Sequence, residues 1–289
     1  MEIKKVGVLG CGVMGGQIAA HLNNVGLEVI AFDLDKETAD KGMEATKHLK
    51  PSPYYNIKTA DSIKTASFDD LDLIKDCDWV VEAIAEKIEW KTGLYSKLEP
   101  FLSSNAILTS NTSGLQLSDL TQGMSDSLKR RFFITHFFNP PRYMKLVEFI
   151  VSDLNDSDTV NFMKTFITNV LGKGVVLAKD TPNFIANRIG VYGMMVAMDE
   201  TVKHGLTIED VDALTGTLIG RPKSATYRTA DVVGLDTLMF VANTAYTKCI
   251  DDDEREVFKI PGFLQKMLDN DWLGQKNGQG FYKKIDKGL

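Results

Sequence analysis

A histidine that moves a proton works best beside a carboxylate that fixes its tautomer and steadies its charged form. The stretch "THFFNPPRYMKLVE", residues 135–148, supplies both groups. His136 sits in an apolar run, and Glu148 stands twelve positions later, in a second one. Between them Asn139-Pro140-Pro141 interrupts any regular element, because proline has no N–H and a fixed φ. Such a turn reverses the chain, so that "KLVEFI" runs back antiparallel and carries Glu148 beside His136. An imidazole with an ordinary pKa of about 6.5 takes and returns a proton near neutrality. A core histidine and an edge-strand glutamate are the plainer alternative. The other three histidines suit other positions. His21 lies in an early helix, His48 precedes a proline-containing loop, and His204 ends a long helix, where a cation complements the dipole.

A second group is Gly10-Cys11-Gly12-Val13-Met14-Gly15, a G-x-G-x-x-G between an apolar strand (Ile3 to Leu9) and a helical segment, "QIAAHLNNVG". A second strand, "LEVIAF", ends at Asp33, 23 residues after Gly10. This context is the dinucleotide-binding fingerprint. Gly10 permits the tight turn, Gly12 lets backbone approach a pyrophosphate, and Gly15 lets the helix pack on the strand. The helix N-terminus offers amide donors and partial positive charge to phosphates. Asp33 is placed to accept from ribose hydroxyls and to repel a 2′-phosphate, which favours NAD over NADP. The candidate cofactor residues are Gly10, Gly12, Val13, Met14, Gly15 and Asp33.

The elements that must hold these groups follow from the alternation of apolar strands with helices. "DWVVEAIAE", "NAILTSNTSG" and "RFFITHFFNP" read as strands, and "KIEWKTGLYSKLEPFL" as an amphipathic helix. The pattern predicts a parallel, doubly wound sheet, with ligands at the carboxyl ends of its strands. Glu86, Ser113 and His136 fall just past the predicted strand ends. Residues 36–66 read less clearly; Pro51 and Pro53 suggest a loop or hairpin beside the cleft, with Tyr54 and Tyr55 facing substrate or simply packed. After a last strand, "GVVLAKD", the chain turns helical. The expected division is 1–180, a Rossmann-type α/β domain, and 181–289, an all-α domain. Pro182 and Gly205 bracket a long helix predicted to be buried on most sides, and Thr207 with Asp210 predicts a helix start.

With 289 residues there is room for about two domains. A net charge of −6 leaves no basic excess to displace counterions, which argues against a nucleic-acid partner. Cys11, Cys77 and Cys249 are too few and too scattered for a disulfide frame or a metal site, so no metal is expected and a reduced, cytoplasmic setting fits. No apolar run reaches the roughly 18 residues of a membrane span. The lysine-flanked apolar start is read as the first strand rather than a signal sequence.

The motifs "SNTSGLQL", "THFFNPPRYMKLVEFI", "KDTPNFIANRIG", "DVVGLDTL" and "LGQKNGQGFYKK", together with the glycine loop, occur in an order that covers nearly the whole chain. They resemble the 3-hydroxyacyl-CoA dehydrogenase family. The resemblance implies oxidation of L-3-hydroxyacyl-CoA to 3-ketoacyl-CoA with NAD, in fatty-acid β-oxidation or butanoate-type metabolism. It also implies a homodimer formed through C-terminal helices. It assigns His136 as the catalytic base, Glu148 as its partner, and Ser113 and Asn187 as donors to the reacting oxygen, Ser113 also touching cofactor. Glu86, Lys91, Asn139 and Lys276 match cofactor-side positions. "GRPKSATYRTAD" departs from the family's usual "GHPMGPFELAD", and residues 36–66 depart from its simpler helical lid, so no CoA-contacting residue is carried over. Both departures look closer to the branch fused to an enoyl-CoA hydratase. The chain is then a stand-alone member or a piece of a longer protein. A dehydrogenase of a non-CoA 3-hydroxy acid or sugar acid, and a non-catalytic NAD-binding protein, are the alternatives.

Overall fold

Short apolar runs buried on both faces make strands of a parallel sheet, and they do so here in a computed structural model that describes residues 1–284. The strands are β1 (Lys5–Leu9), β2 (Glu28–Asp33), β3 (Lys64–Ser67), β4 (Trp79–Glu82), β5 (Ile107–Ser110), β6 (Phe132–Phe137), β7 (Leu146–Ile150) and β8 (Gly174–Ala178). They form one sheet in the order β3-β2-β1-β4-β5-β6-β7-β8. Every neighbouring pair is parallel except β6–β7. Helices α1 (Val13–Asn24), α2 (Lys36–Lys47), α3 (Ile88–Leu98) and α6 (Ser157–Asn169) connect the strands, with two single-turn helices, α4 (Leu117–Leu120) and α5 (Asp126–Lys129), between β5 and β6. The core gathers Val6, Val8, Ile18, Val29, Val81 and Ile107 with Phe133, Phe149, Met163 and Ile167.

The chain divides into two compact units after Thr181. The second unit is helical: α7 (Ala186–His204), α8 (Ile208–Thr215), α9 (Tyr227–Val233), α10 (Leu235–Lys248) and α11 (Gly262–Asp269). Its own core is built on Met195, Met198, Tyr227, Leu238, Ala242, Phe258 and Leu264. Among the described residues no helix is long and apolar enough to cross a membrane.

Several expectations need correction. Residues 36–66 contain a helix and a strand, α2 and β3, which their weak pattern concealed; α2 buries only Ala39, Met43 and Thr46. The long helix starts at Ala186 instead of Pro182, because Asn183 and Phe184 adopt φ of +62° and +48°, outside the helical region. Gly205 does end it, in the left-handed conformation at φ +62°. Within one chain Ile189 is 67% and Val202 66% exposed, so the helix is not a central one, and the dimer-face alternative for it stays open. His136 lies within β6, one residue before its end, instead of beyond it. The Thr207–Asp210 capping box is present at α8.

Candidate active site

Three strand registers bring the site segments to one edge. Leu9 pairs with Glu82, Glu82 with Ser110, and Ser110 with Ile134. The loops leaving β1, β4 and β5 therefore emerge beside His136, at the carboxyl edge. The order β2-β1-β4 places the switch point between β1 and β4, where sheets of this kind open a crevice.

The glycine loop is built for close approach. Gly10 has φ +97°, and a Cβ there would sit 2.9 Å from the Ala83 carbonyl oxygen. A Cβ on Gly15 would sit 1.8 Å from the Gly10 oxygen, so α1 packs against the loop only if residue 15 has no side chain. At Gly12, by contrast, an added Cβ would meet no atom within 4 Å. The N-terminus of α1 has no side-chain cap, so its first amide donors are available to an anion. Asp33 closes the loop, accepting from Cys11 N at 2.7 Å and Leu34 N at 2.8 Å. Gly10, Gly12, Asp33, Leu34, Ile84 and Trp90 are among the residues lining a cleft of about 500 Å³. Open space at Gly12, uncapped helix donors and a carboxylate at the tip of β2 fit the pyrophosphate and ribose of a dinucleotide. Val13 and Met14 form the first turn of α1, with Val13 exposed.

On the other side of β1, Glu86 turns its carboxylate onto the loop after β5. It accepts from Thr112 Oγ1 at 2.5 Å, Ser113 N at 2.8 Å and Gly114 N at 2.9 Å. Lys91 Nζ lies 3.5 Å from its second oxygen. Burial alone would push the Glu86 carboxyl up; the Lys91 charge and the three hydrogen bonds outweigh it and hold the group below the ordinary carboxylate range.

His136 and Glu148 are directly opposed in the β6–β7 ladder, so both side chains leave the same face. His136 Nδ1 lies 2.7 Å from Glu148 Oε2, and both residues are buried. The Phe138 ring packs 4.5 Å from the imidazole. Phe137 N donates to Asn111 Oδ1 at 2.9 Å, tying the end of β6 to the loop after β5. The connecting turn is anchored from several sides. Lys173 Nζ donates to the carbonyls of Pro141 and, at 2.8 Å, Met144. Arg142 Nη1 donates to the carbonyls of Ser52 and Tyr54. Gln17 Nε2 donates to Asn139 Oδ1 at 2.9 Å, linking α1 to the turn.

Residues 5–181 match the family described as "3-hydroxyacyl-CoA dehydrogenase, NAD binding domain", and residues 184–284 match "3-hydroxyacyl-CoA dehydrogenase, C-terminal domain". The chain belongs to the 3-hydroxyacyl-CoA dehydrogenase family. A Bacillus subtilis protein named "Probable 3-hydroxyacyl-CoA dehydrogenase" is 47% identical over 99% of this chain, which spans 39% of that protein. A Deinococcus radiodurans protein of the same name is 43% identical over 98% of this chain and 84% of its own length. The fold is shared with the crystal structure of (S)-3-hydroxybutyryl-CoA dehydrogenase PaaH1 from Ralstonia eutropha, at TM-score 0.84 and 27% identity, covering 99% of this chain and all of that one. The cofactor of this 3-hydroxyacyl-CoA dehydrogenase family member is NAD, as the first domain's family states.

The remaining candidate residues fall as follows. Lys91 is buried on α3, where it donates to Glu82 at 2.6 Å and to the Ile84 carbonyl at 3.2 Å. Asn187 stands in the first turn of α7 and Lys276 pairs with Asp236 at 2.6 Å, both in the second unit. Tyr54 is packed inside, its hydroxyl 2.6 Å from Thr46 Oγ1, which is the packing alternative for that residue. Tyr55 is exposed, with the Arg142 guanidinium 4.7 Å from its ring. Sequence reasoning passed over Glu82, Asn111, Gln17 and Lys173. A charged residue ending the otherwise apolar "WVVE" was the available signal for Glu82.

Proposed function

We propose that this chain oxidises L-3-hydroxyacyl-CoA to 3-ketoacyl-CoA with NAD, in fatty-acid β-oxidation or butanoate-type metabolism. The observation that carries the reading is the buried His136 Nδ1–Glu148 contact of 2.7 Å, on the sheet edge where the glycine loop opens. The substrate class is supported by the printed names of the Bacillus, Deinococcus and Ralstonia relatives.

With Nδ1 turned to Glu148, His136 exchanges its proton through Nε2, taking it from the 3-hydroxyl. Glu148 fixes the tautomer that can accept there and steadies the imidazolium that results. Bound NAD supplies the hydride acceptor. Gly10, Gly12, Val13, Met14, Gly15 and Asp33 would hold the dinucleotide, and the resemblance adds Glu86, Asn139 and Lys276 as cofactor-side residues. Lys91 belongs to that set through Glu86. The resemblance assigns Ser113 and Asn187 as donors to the oxygen on which negative charge develops. The second unit is read as a substrate and dimerisation domain. Three buried cysteine thiols support a reducing, cytoplasmic setting.

Replacing His136 by Gln keeps the ring's approximate volume and removes the proton acceptor. Turnover of acetoacetyl-CoA with NADH should fall by about two to four orders of magnitude, the usual scale for general acid–base catalysis, while NADH affinity stays within about twofold. Near-normal turnover rejects the assignment. A series of 3-ketoacyl-CoA chain lengths, run beside free 3-hydroxy acids, tests the substrate class; activity confined to acids without CoA rejects it.

A further inference from the structure

The cluster beneath Glu86 joins three elements through groups that nearly all avoid water. Glu82, at the end of β4, is fully buried, and Lys91 on α3 is 1% exposed. One Glu82 oxygen accepts from Ile84 N at 2.7 Å and Lys91 Nζ at 2.6 Å. The other accepts from Tyr95 OH at 2.5 Å and Ser110 Oγ at 2.7 Å. The four donors come from the β4–α3 loop, α3 and β5, and they occupy a carboxylate's acceptor sites. Taking two charges out of water is costly unless every polar atom finds a partner, and here the partners are present. Lys91 then reaches past Glu82 to Glu86, 3.5 Å away. One ammonium thus serves two carboxylates, leaving a single net negative charge on Glu86, the more exposed of the two acids.

We propose that Glu82 and Lys91 are positioning residues: Glu82 fixes the Lys91 ammonium, and Lys91 fixes Glu86 as the anion that holds the Thr112–Ser113–Gly114 turn at the nicotinamide side of the site. This rests on the reading of Ser113 and Glu86 as site residues given above. Lys91, with three acceptors around a buried ammonium, acts on the cofactor through Glu86 and not by direct contact. The charge acting on Glu86 is Lys91 from α3, and Tyr95 on the same helix feels Glu86 in turn; the loop after β5 adds the neutral donors of Thr112, Ser113 and Gly114. Burial and the Glu82 charge push the Tyr95 hydroxyl well above its ordinary range, so it stays a donor.

The arrangement makes a prediction of sign. Lys91→Met leaves two neighbouring carboxylates without their shared cation, and Glu86 becomes easier to protonate. Glu82→Gln keeps an acceptor oxygen for the Lys91 ammonium and removes only the charge of residue 82, so Lys91 stays in place beside Glu86. Adding Glu82→Gln to Lys91→Met removes the repulsion and should restore part of the loss. The test measures NADH affinity by fluorescence titration, and kcat/KM for NADH with acetoacetyl-CoA, from pH 5.5 to 8.5 in the wild type, both single variants and the double variant. Far-ultraviolet circular dichroism checks folding. Lys91→Met should lose about tenfold more at pH 5.5 than at pH 8, because burial without the shared cation lets Glu86 take up a proton at the lower pH. Glu82→Gln should show no such acid loss, and the double variant should recover at least about threefold of it. Parallel pH profiles in all four proteins, or a double variant worse than Lys91→Met, overturn the proposal. Should the wild type fail to reduce acetoacetyl-CoA, the substrate reading fails, and the NADH titrations alone decide the relay.

Discussion

At the residue scale, His21 carries a pH signature distinct from that of the site. It is buried in α1, its Nε2 3.2 Å from the Leu171 carbonyl, while Nδ1 is buried without a partner among the described residues. Burial, then the charges of Lys173 and Arg142, push the imidazole down to about 4. The folded protein therefore keeps His21 neutral, whereas the unfolded chain protonates it near pH 6.5. Stability is fully present above pH 6.5 and is lost as pH falls toward 4, because the unfolded state binds the proton first. Between pH 7 and pH 5 this amounts to about 2 kcal/mol. The lowered carboxylates, Glu86 among them, titrate below that window. Urea unfolding at both pH values should show this loss in the wild type. His21→Gln, which retains a donor for Leu171, should lack most of it; equal losses in the two proteins would remove His21 as the cause.

At the element scale, the β6–β7 hairpin positions both members of the acid–base pair, and Lys173 holds its turn. Replacing Lys173 by Met removes two charge-assisted hydrogen bonds and leaves two carbonyls unsatisfied, so stability should fall by about 2 kcal/mol. Four residue pairs fix the strand register independently, so turnover should drop by no more than about tenfold. An unchanged urea midpoint would show that the turn holds itself. This hairpin was legible in the sequence because Asn139-Pro140-Pro141 breaks the apolar run and suggests a reversal, after which an antiparallel return can bring Glu148 beside His136, as the β6–β7 register does. The glycine loop was legible for a similar reason, since close packing against Gly10 excludes a side chain at residue 15. The buried cations were not. Lys91 lies on an amphipathic helix and Lys173 beside a turn, and nothing local distinguishes them from solvated lysines; their burial depends on acceptors brought in by β4 and by the 139–145 turn. The α2–β3 segment was obscured because an edge element buries too few residues to impose a period.

At the scale of the whole molecule, the exposed apolar residues of the second unit need an account. Single exposed apolar side chains are ordinary, but Ile189, Val202, Leu214, Leu218, Ile219 and Phe240 are all exposed within the α7–α10 region. A second copy of the chain is the occupant implied by the family resemblance, and a two-fold interface would bring the same surface from each protomer together. Light scattering on a gel-filtration peak at about 10 µM, a concentration well above a sub-micromolar Kd, should give twice the 32.1 kDa of one chain. Ile189 is 67% exposed in the protomer, so Ile189→Glu should leave the circular dichroism spectrum unchanged. At an interface the same carboxylate would be buried without a partner, so dissociation should become at least about tenfold more favourable. Leu218→Glu, at a residue 73% exposed, provides a second trial at a different part of the surface. A wild-type mass of 32.1 kDa at that concentration would reject the homodimer outright. A dimer indifferent to both substitutions would place its interface on another surface.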